Sequence, residues 1–228
     1  EEAFGLEKLY RICEKARELT REQRIGRVIA RPFLGNSPST FSRTNNRKDY
    51  SLVPPKNFLD ILVKNEINTV GVGKISDIFN GRSLNESYKT NSNHEGVDRV
   101  LEILKRNSSR SEFVFANLID FDQHFGHRRD PKGYGQCLVE FDQRVPELLN
   151  ALKENDWLII TADHGNDPTF KGSDHTRECV PFMVTRSSLE NGQHLGDFRG
   201  FHHCAKLILD LFESVSYTHL TLPTTTIV

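Results

Sequence analysis

The sequence is poor in the features that mark several common protein classes. Only four cysteines occur, Cys13, Cys137, Cys179 and Cys204, far apart and with no CxxC pair. That spacing makes neither a zinc knuckle nor a small disulfide scaffold, and reduced thiols are the plain reading. No apolar run approaches the roughly 20 residues that span a bilayer. The opening Glu1-Glu2-Ala3-Phe4 has no basic start and no apolar stretch of the secretory kind. Membrane and secreted proteins are thereby disfavoured, and a cytoplasmic protein is expected. Charge of one sign is also lacking, since 30 Lys+Arg against 31 Asp+Glu leave a net charge of -1. No overall field draws such a chain to nucleic acid or to an acidic membrane, so a local site must carry its function. What is present, 36% hydrophobic and 27% charged residues over 228 positions, suits a globular protein of one large domain or two small ones.

Periodicity divides the chain. Leu6, Leu9, Tyr10, Cys13, Ala16 and Leu19 recur at three- and four-residue spacings and predict a surface helix over 6–20. A short β-like run, Ile25 to Ala30, follows. Residues 36–55 are polar, rich in Ser, Asn, Arg and Pro, and aperiodic, which predicts a long loop or a crossing between domains with a boundary near residue 53. Beyond it, helices at 56–65, 95–106, 134–154 and 201–213 alternate with apolar strands at 69–74, 113–119, 157–161 and 181–185. That order predicts a mostly parallel sheet covered on both faces. Pro146 is expected to kink or divide the long helix. The two ends read differently from the rest. The chain opens without Met, as an internal start would, and Tyr217 to Val228 is a Thr-rich run of no periodicity that looks foreign to what precedes it.

The chemistry-bearing residues follow the strands. After 113–119 come Asp120, Asp122, His124 and His127; after 157–161 come Asp163, His164 and Asp167; Lys74 ends 69–74. Ligands of open α/β sheets sit at the carboxyl ends of strands, so these clusters are expected on one edge. Asp122, His127, Asp163, His164 and His175 make two carboxylates and three imidazoles, a set suited to Zn²⁺ or Mn²⁺ rather than Ca²⁺. Five ligands exceed what one catalytic ion takes, whereas two ions could clamp the attacking and leaving oxygens of a phosphoryl displacement. Each residue alone has a plainer reading: a strand-end Asp is often a helix cap, and a lone loop His is usually exposed or structural. Asp120, Asp167 and Asp174 could orient the imidazoles or serve as caps. Arg31, Arg43, Arg47 and Lys74 are candidate phosphate holders, with surface solvation as the alternative. Arg128, Arg129 and Arg177 could set local charge or pair with neighbouring carboxylates.

The segments IGRVIARPFLG, RTNNRKDYSL, GVGKISDIF, NLIDFDQHFGHRRDPKGYG, EFDQRVPELL, IITADHGNDP and GSDHTRE together resemble the bacterial phosphopentomutases of the alkaline phosphatase superfamily, in family order over residues 1 to about 213. The resemblance implies an alkaline-phosphatase-like α/β core with an inserted α/β cap domain, two Mn²⁺ ions, and interconversion of (2-deoxy)ribose 1-phosphate and 5-phosphate through a phosphothreonine and a sugar 1,5-bisphosphate. It implies that one ion is held by Asp122, His127 and His175. The other would be held by Asp163 and His164 with a family Asp and the threonine, neither of which aligns here. Arg31 and Lys74 match basic positions that face the sugar phosphate. On this reading residues 1–53 are the C-terminal part of the cap, 54–213 the C-terminal part of the metal-binding core, and 214–228 a non-native tail. The chain would be a fragment, inactive alone, with pentose phosphates as the expected small-molecule partners and neither nucleic acid nor membrane as a partner. Two alternatives stand beside it: a cofactor-independent phosphoglycerate mutase or other hydrolase of the same superfamily, and a non-catalytic metal-binding domain.

Overall fold

The computed structural model describes residues 1–2, 4–187 and 192–212. The Thr-rich run, His219 and the last position of the final expected helix lie outside the described residues. Two compact units form, Glu1–Lys56 and a second beginning at Asn57.

In the first unit the apolar stripe forms helix α1 (Leu6–Leu19), which buries Cys13 and Arg17. The buried Arg17 guanidinium donates through one nitrogen to the Ile25 carbonyl at 2.6 Å. Strand β1 (Arg27–Ala30) is followed by β2 (Phe33–Leu34), β3 (Ser42–Arg43) and β4 (Lys48–Ser51). β1 pairs antiparallel with β4 and β2 with β3. The expectation of an aperiodic loop over 36–55 is corrected here, since two strands lie within it. β3 is too short to show a period, and β4 escapes a hydrophobic-period reading because polar groups hold it: Asp49 accepts from Arg27 at 2.8 Å and from Arg47 at 2.6 Å. Lys48 also lies 5.0 Å from the Tyr10 ring centroid and 5.1 Å from that of Tyr50.

The second unit opens on a capping box. Asn57 accepts from the Leu59 N–H at 3.0 Å, and Asp60 accepts from the Asn57 N–H at 2.8 Å, starting α2 (Phe58–Lys64). Then come β5 (Asn68–Val72), α3 (Ile75–Phe79), β6 (Glu86–Tyr88), α4 (Asn93–Leu104), β7 (Glu112–Ala116), a π-helical segment Phe121–Gly126, α5 (Pro131–Ala151), β8 (Leu158–Thr161), β9 (Phe182–Thr185) and α6 (His202–Leu211). β5 is central and parallel to both β6 and β7, which is the expected parallel core. Strand alternation then distributes the apolar residues. Val70, Val72, Val114 and Ala116 pack with Ile103 of α4, while Phe113 and Phe115 meet Phe58 and Phe79 on the α2–α3 side. β8 serves both layers, with Leu158 in the cluster around Val97, Leu101 and Leu148 and Ile159 against Leu59 and Leu62. Its ladder partner is the antiparallel β9.

In the second unit three elements were not legible in the pattern, α3, β6 and the π-helical segment, of five, three and six residues; each is too short to show a period. Pro146 does not divide α5, which runs for 21 residues. Pro146 and Asp142 are both exposed, so the Asp142 carbonyl deprived of its partner is solvated, and Phe141, Leu148 and Ala151 anchor both halves in the cluster with α4. No helix among the described residues is long and apolar enough to cross a membrane.

A polar knot ties the sheet edge to the end of α4. Glu86 accepts from the Tyr88 hydroxyl at 2.6 Å, from Asn68 at 3.0 Å and from Arg106 at 2.8 Å. Those bonds, the Tyr88 one foremost, bring its pKa down from 4.5 to about 2. A depressed carboxylate pKa stabilises the fold above pH 4.5 and loses that contribution as pH falls from 4.5 to about 2. Glu86→Gln is therefore expected to lower stability to urea at pH 7 and to flatten the loss of stability across that acid window, as measured by denaturation at pH 7, 4.5 and 3.

Candidate metal site

The chain leaves β7 through Asn117, whose N–H donates to the Val72 carbonyl at 3.0 Å. It then enters α4's N-terminus as a partner. Asp120 accepts the Asn93 N–H at 2.7 Å and returns its own N–H to the Asn93 side chain at 2.9 Å. Asp120 thereby takes up a free N–H in the first turn of α4, whose own N-cap is Ser92. Asn93 also donates to Cys137 at 3.2 Å, and burial pushes that thiol up to about 11, leaving it inert.

Asp122 sits in the first turn of the π-helical segment and His127 closes it, the His127 N–H donating to the Asp122 carbonyl at 3.0 Å. In an α-helix residues five apart diverge by about 140°. The wider turn returns residue i+5 over residue i, so the two side chains share a face. Asp122 Oδ1 lies 3.4 Å from His127 Nε2 and 3.3 Å from His175 Nε2, and the two nitrogens are 3.2 Å apart.

His127 Nδ1 is 2.6 Å from the Ser173 carbonyl, an acceptor only, so Nδ1 carries the proton and Nε2 presents its lone pair. The second imidazole arrives on the loop after β8. A single antiparallel bridge between Gly165 and Thr176 closes that loop, with the Thr176 N–H donating to the Gly165 carbonyl at 3.0 Å. It brings the rings of His164 and His175 into a stack 3.6 Å between centroids at 16°. Burial, and then the facing His164, hold the His175 pKa below its ordinary value, which favours the neutral imidazole that ligates.

This donor set fits a divalent cation. An ion about 2.0–2.2 Å from each ligand atom implies ligand-to-ligand separations of about 3.0–3.5 Å. The three observed separations, 3.2, 3.3 and 3.4 Å, lie in that range. Oxygen and imidazole nitrogen without sulfur suit Zn²⁺ or Mn²⁺.

Of the five expected ligands, Asp122, His127 and His175 converge as a triad. His164 stacks against it, while Asp163 is 65% exposed, with His164 Nε2 3.5 Å from its carboxylate. Lys74 stands at the carboxyl end of β5 as the N-cap of α3, after Gly73, which takes φ 77 and passes so close to the Asn117 carbonyl that a Cβ would lie 2.4 Å from it. Arg31 belongs to the first unit, where it lines a cavity of about 170 Å³ with Pro32, Arg43, Thr44 and Arg47. Three guanidinium-bearing residues are thus among its lining.

Two residues that sequence reasoning left in the background complete the site. Asn166, buried, donates to Asp122 Oδ1 at 2.6 Å. Arg129 donates to the Asn166 side-chain oxygen at 3.0 Å and to the carbonyls of Asp167 at 2.7 Å, Asp174 at 2.5 Å and Gly172. It bonds carbonyls where a carboxylate partner was the expected alternative. Nothing local to the sequence pairs Asn166 with Asp122, 44 positions apart.

Residues 12–215 match the family described as the Metalloenzyme superfamily. The chain is 47% identical over 213 residues to a phosphopentomutase of Alkaliphilus metalliredigens, covering 92% of this chain and 54% of that protein. It is 52% identical over 185 residues to a phosphopentomutase of Pseudoalteromonas translucida, covering 81% of this chain and 45% of that one. The chain thus spans about half the length of the curated relatives it matches. Among solved structures, the PH0037 protein of Pyrococcus horikoshii is similar in fold, with a TM-score of 0.54 at 14% identity over 92% of this chain and 65% of that one.

Asn166 approaches Gly126 so closely that a Cβ there would lie 2.2 Å from its amide nitrogen. Because Arg129 and Asp122 hold that amide on both sides, it cannot swing away. Gly126→Ala is expected to cost about 1–3 kcal/mol of stability, and a thermal melt of the variant that matched the parent would contradict this account.

Proposed function

We propose that this chain, which belongs to the Metalloenzyme superfamily, carries the metal-holding machinery of a phosphopentomutase that interconverts (2-deoxy)ribose 1-phosphate and (2-deoxy)ribose 5-phosphate. The observation that carries the reading is the triangle of Asp122 Oδ1, His127 Nε2 and His175 Nε2, with the His127 tautomer set by the Ser173 carbonyl. Similarity to phosphopentomutases supports the reaction class.

Mn²⁺ is the proposed ion, held by Asp122, His127 and His175. Asp163 and His164 are proposed as ligands of a second ion; two donors are fewer than such a site takes from a protein, and no third is assigned to this chain. Bound there, divalent cations neutralise charge on the oxygens of a transferring phosphoryl group. The chain's own residues supply position. Asn166 orients the Asp122 carboxylate, Ser173 keeps the His127 lone pair aimed inward, and the Gly165–Thr176 bridge fixes the stacked imidazoles. Arg31, with Arg43 and Arg47 beside it, and Lys74 are proposed to hold phosphate oxygens of the sugar, Arg through its planar fork and Lys as a point charge. No nucleophilic threonine is assigned in this chain, and without one it is proposed to bind metal but not to turn over by itself.

The test has two parts. Titrated with Mn²⁺ and followed by electron paramagnetic resonance, the chain should bind the ion, and Asp122→Asn should weaken binding by more than about 100-fold. A chimera in which this chain replaces the segment it matches in the Alkaliphilus metalliredigens enzyme should interconvert the pentose phosphates. A folded, Mn²⁺-loaded chimera that left them untouched while acting on phosphoglycerate or a sulfate ester would replace the proposed reaction with a different one of the same metal chemistry.

A further inference from the structure

The π-helical segment ends in a Schellman arrangement: the Asp130 N–H donates to the Phe125 carbonyl and the Arg129 N–H to that of Gly126, both at 3.1 Å. The residue between helix and exit in this motif takes a left-handed backbone, and here it is Arg129 at φ 54. That position strongly favours glycine, so an arginine occupies it against its conformational preference. Strain of this kind persists where the surrounding contacts over-determine it, and functional sites are where such residues gather.

The side chain shows what the position achieves. One planar guanidinium takes four acceptors spread over the loop that delivers His175: the Asn166 side chain and the carbonyls of Asp167, Gly172 and Asp174. Residues 169–175 of this loop are exposed and contribute no buried apolar side chain. Besides the guanidinium, the loop is held by the Gly165–Thr176 bridge, by the Asp167 N–H donating to the Thr176 hydroxyl, by the Thr169 and Phe170 N–H groups donating to Asp167, and by the Ser173 carbonyl against His127. Through Asn166 the same guanidinium reaches Asp122, so one residue sets both a carboxylate and an imidazole of the triad.

We infer that Arg129 is a positioning residue that raises the affinity of the Asp122–His127–His175 site for a divalent cation. The inference rests on the metal reading proposed above. Its sign is diagnostic. By Coulomb's law alone, a guanidinium close to a cation site repels the ion, and removing it tightens binding. Pre-organisation predicts the reverse, because loop and carboxylate would have to be ordered by the ion itself; loss of such outer supports typically weakens metal binding about 10- to 100-fold.

Arg129→Gly separates the two roles, since glycine suits the backbone and removes the side chain. The expected result is a variant that still folds cooperatively without metal, together with a Mn²⁺ dissociation constant about 10- to 100-fold higher by electron paramagnetic resonance titration. Arg129→Lys keeps the charge without the fork, and it should lose affinity as well. Arg128→Ala, a neighbouring cation on an exposed site, should leave affinity unchanged or tighter. Equal or tighter Mn²⁺ binding by Arg129→Gly, or full affinity in Arg129→Lys, would overturn the inference. Absence of Mn²⁺ binding by the parent chain would overturn the metal reading itself, and this inference with it.

Discussion

The hydrogen bond from the His127 N–H to the Asp122 carbonyl is the constraint on which the site depends. It spans five residues rather than four, and that single change of register decides which side chains share a face. With α-helical spacing the carboxylate and the imidazole would diverge, and no ion could touch both. The segment holds this register because both its ends are tied. Asp120 and Asn93 exchange two bonds at its start, and the Schellman turn at Arg129 closes its end before Asp130 caps α5 by accepting the Gly133 N–H at 2.9 Å.

From that constraint the rest follows outward. The start of the segment is fixed by β7, whose parallel pairing with β5 sets where the chain leaves the sheet, and by α4, whose apolar face covers Val70 and Val72. Residues 169–175 of the loop bearing His175 bury no apolar side chain, so polar bonds must place it. The Gly165–Thr176 bridge, the Arg129 guanidinium and the Ser173 carbonyl on His127 supply them. The core therefore supplies rigidity and the polar bonds supply aim, a division expected where ligands must be held within a fraction of an ångström on irregular backbone.

Much of the architecture was legible beforehand. The α/β order, the parallel core and most helix and strand positions could be read from period, because segments such as 95–106 and 113–119 bury one face each and must show it. Asp122, His127 and His175 were legible as donors because carboxylate and imidazole after buried strands are chemically conspicuous. The strands within 36–55 were not, since β3 has only two residues and salt links and ring contacts of Lys48 and Asp49 replace apolar alternation in β4. Nor were α3 and β6, whose few residues complete no pattern.

What the sequence determined by itself is composition and order: which donors exist, which elements precede them, and that no sulfur joins the set. What only the tertiary structure decided is which donors meet. Asp122 and His175 stand 53 positions apart, and no local propensity encodes their 3.3 Å approach. The same holds for Arg129, an arginine in a position that favours glycine. Local preference argues against it there, and its four acceptors come from a loop some 40 residues downstream. Hydrogen bonds between distant segments depend on where the whole chain has been folded, and periodicity carries only the part of that information that burial imposes.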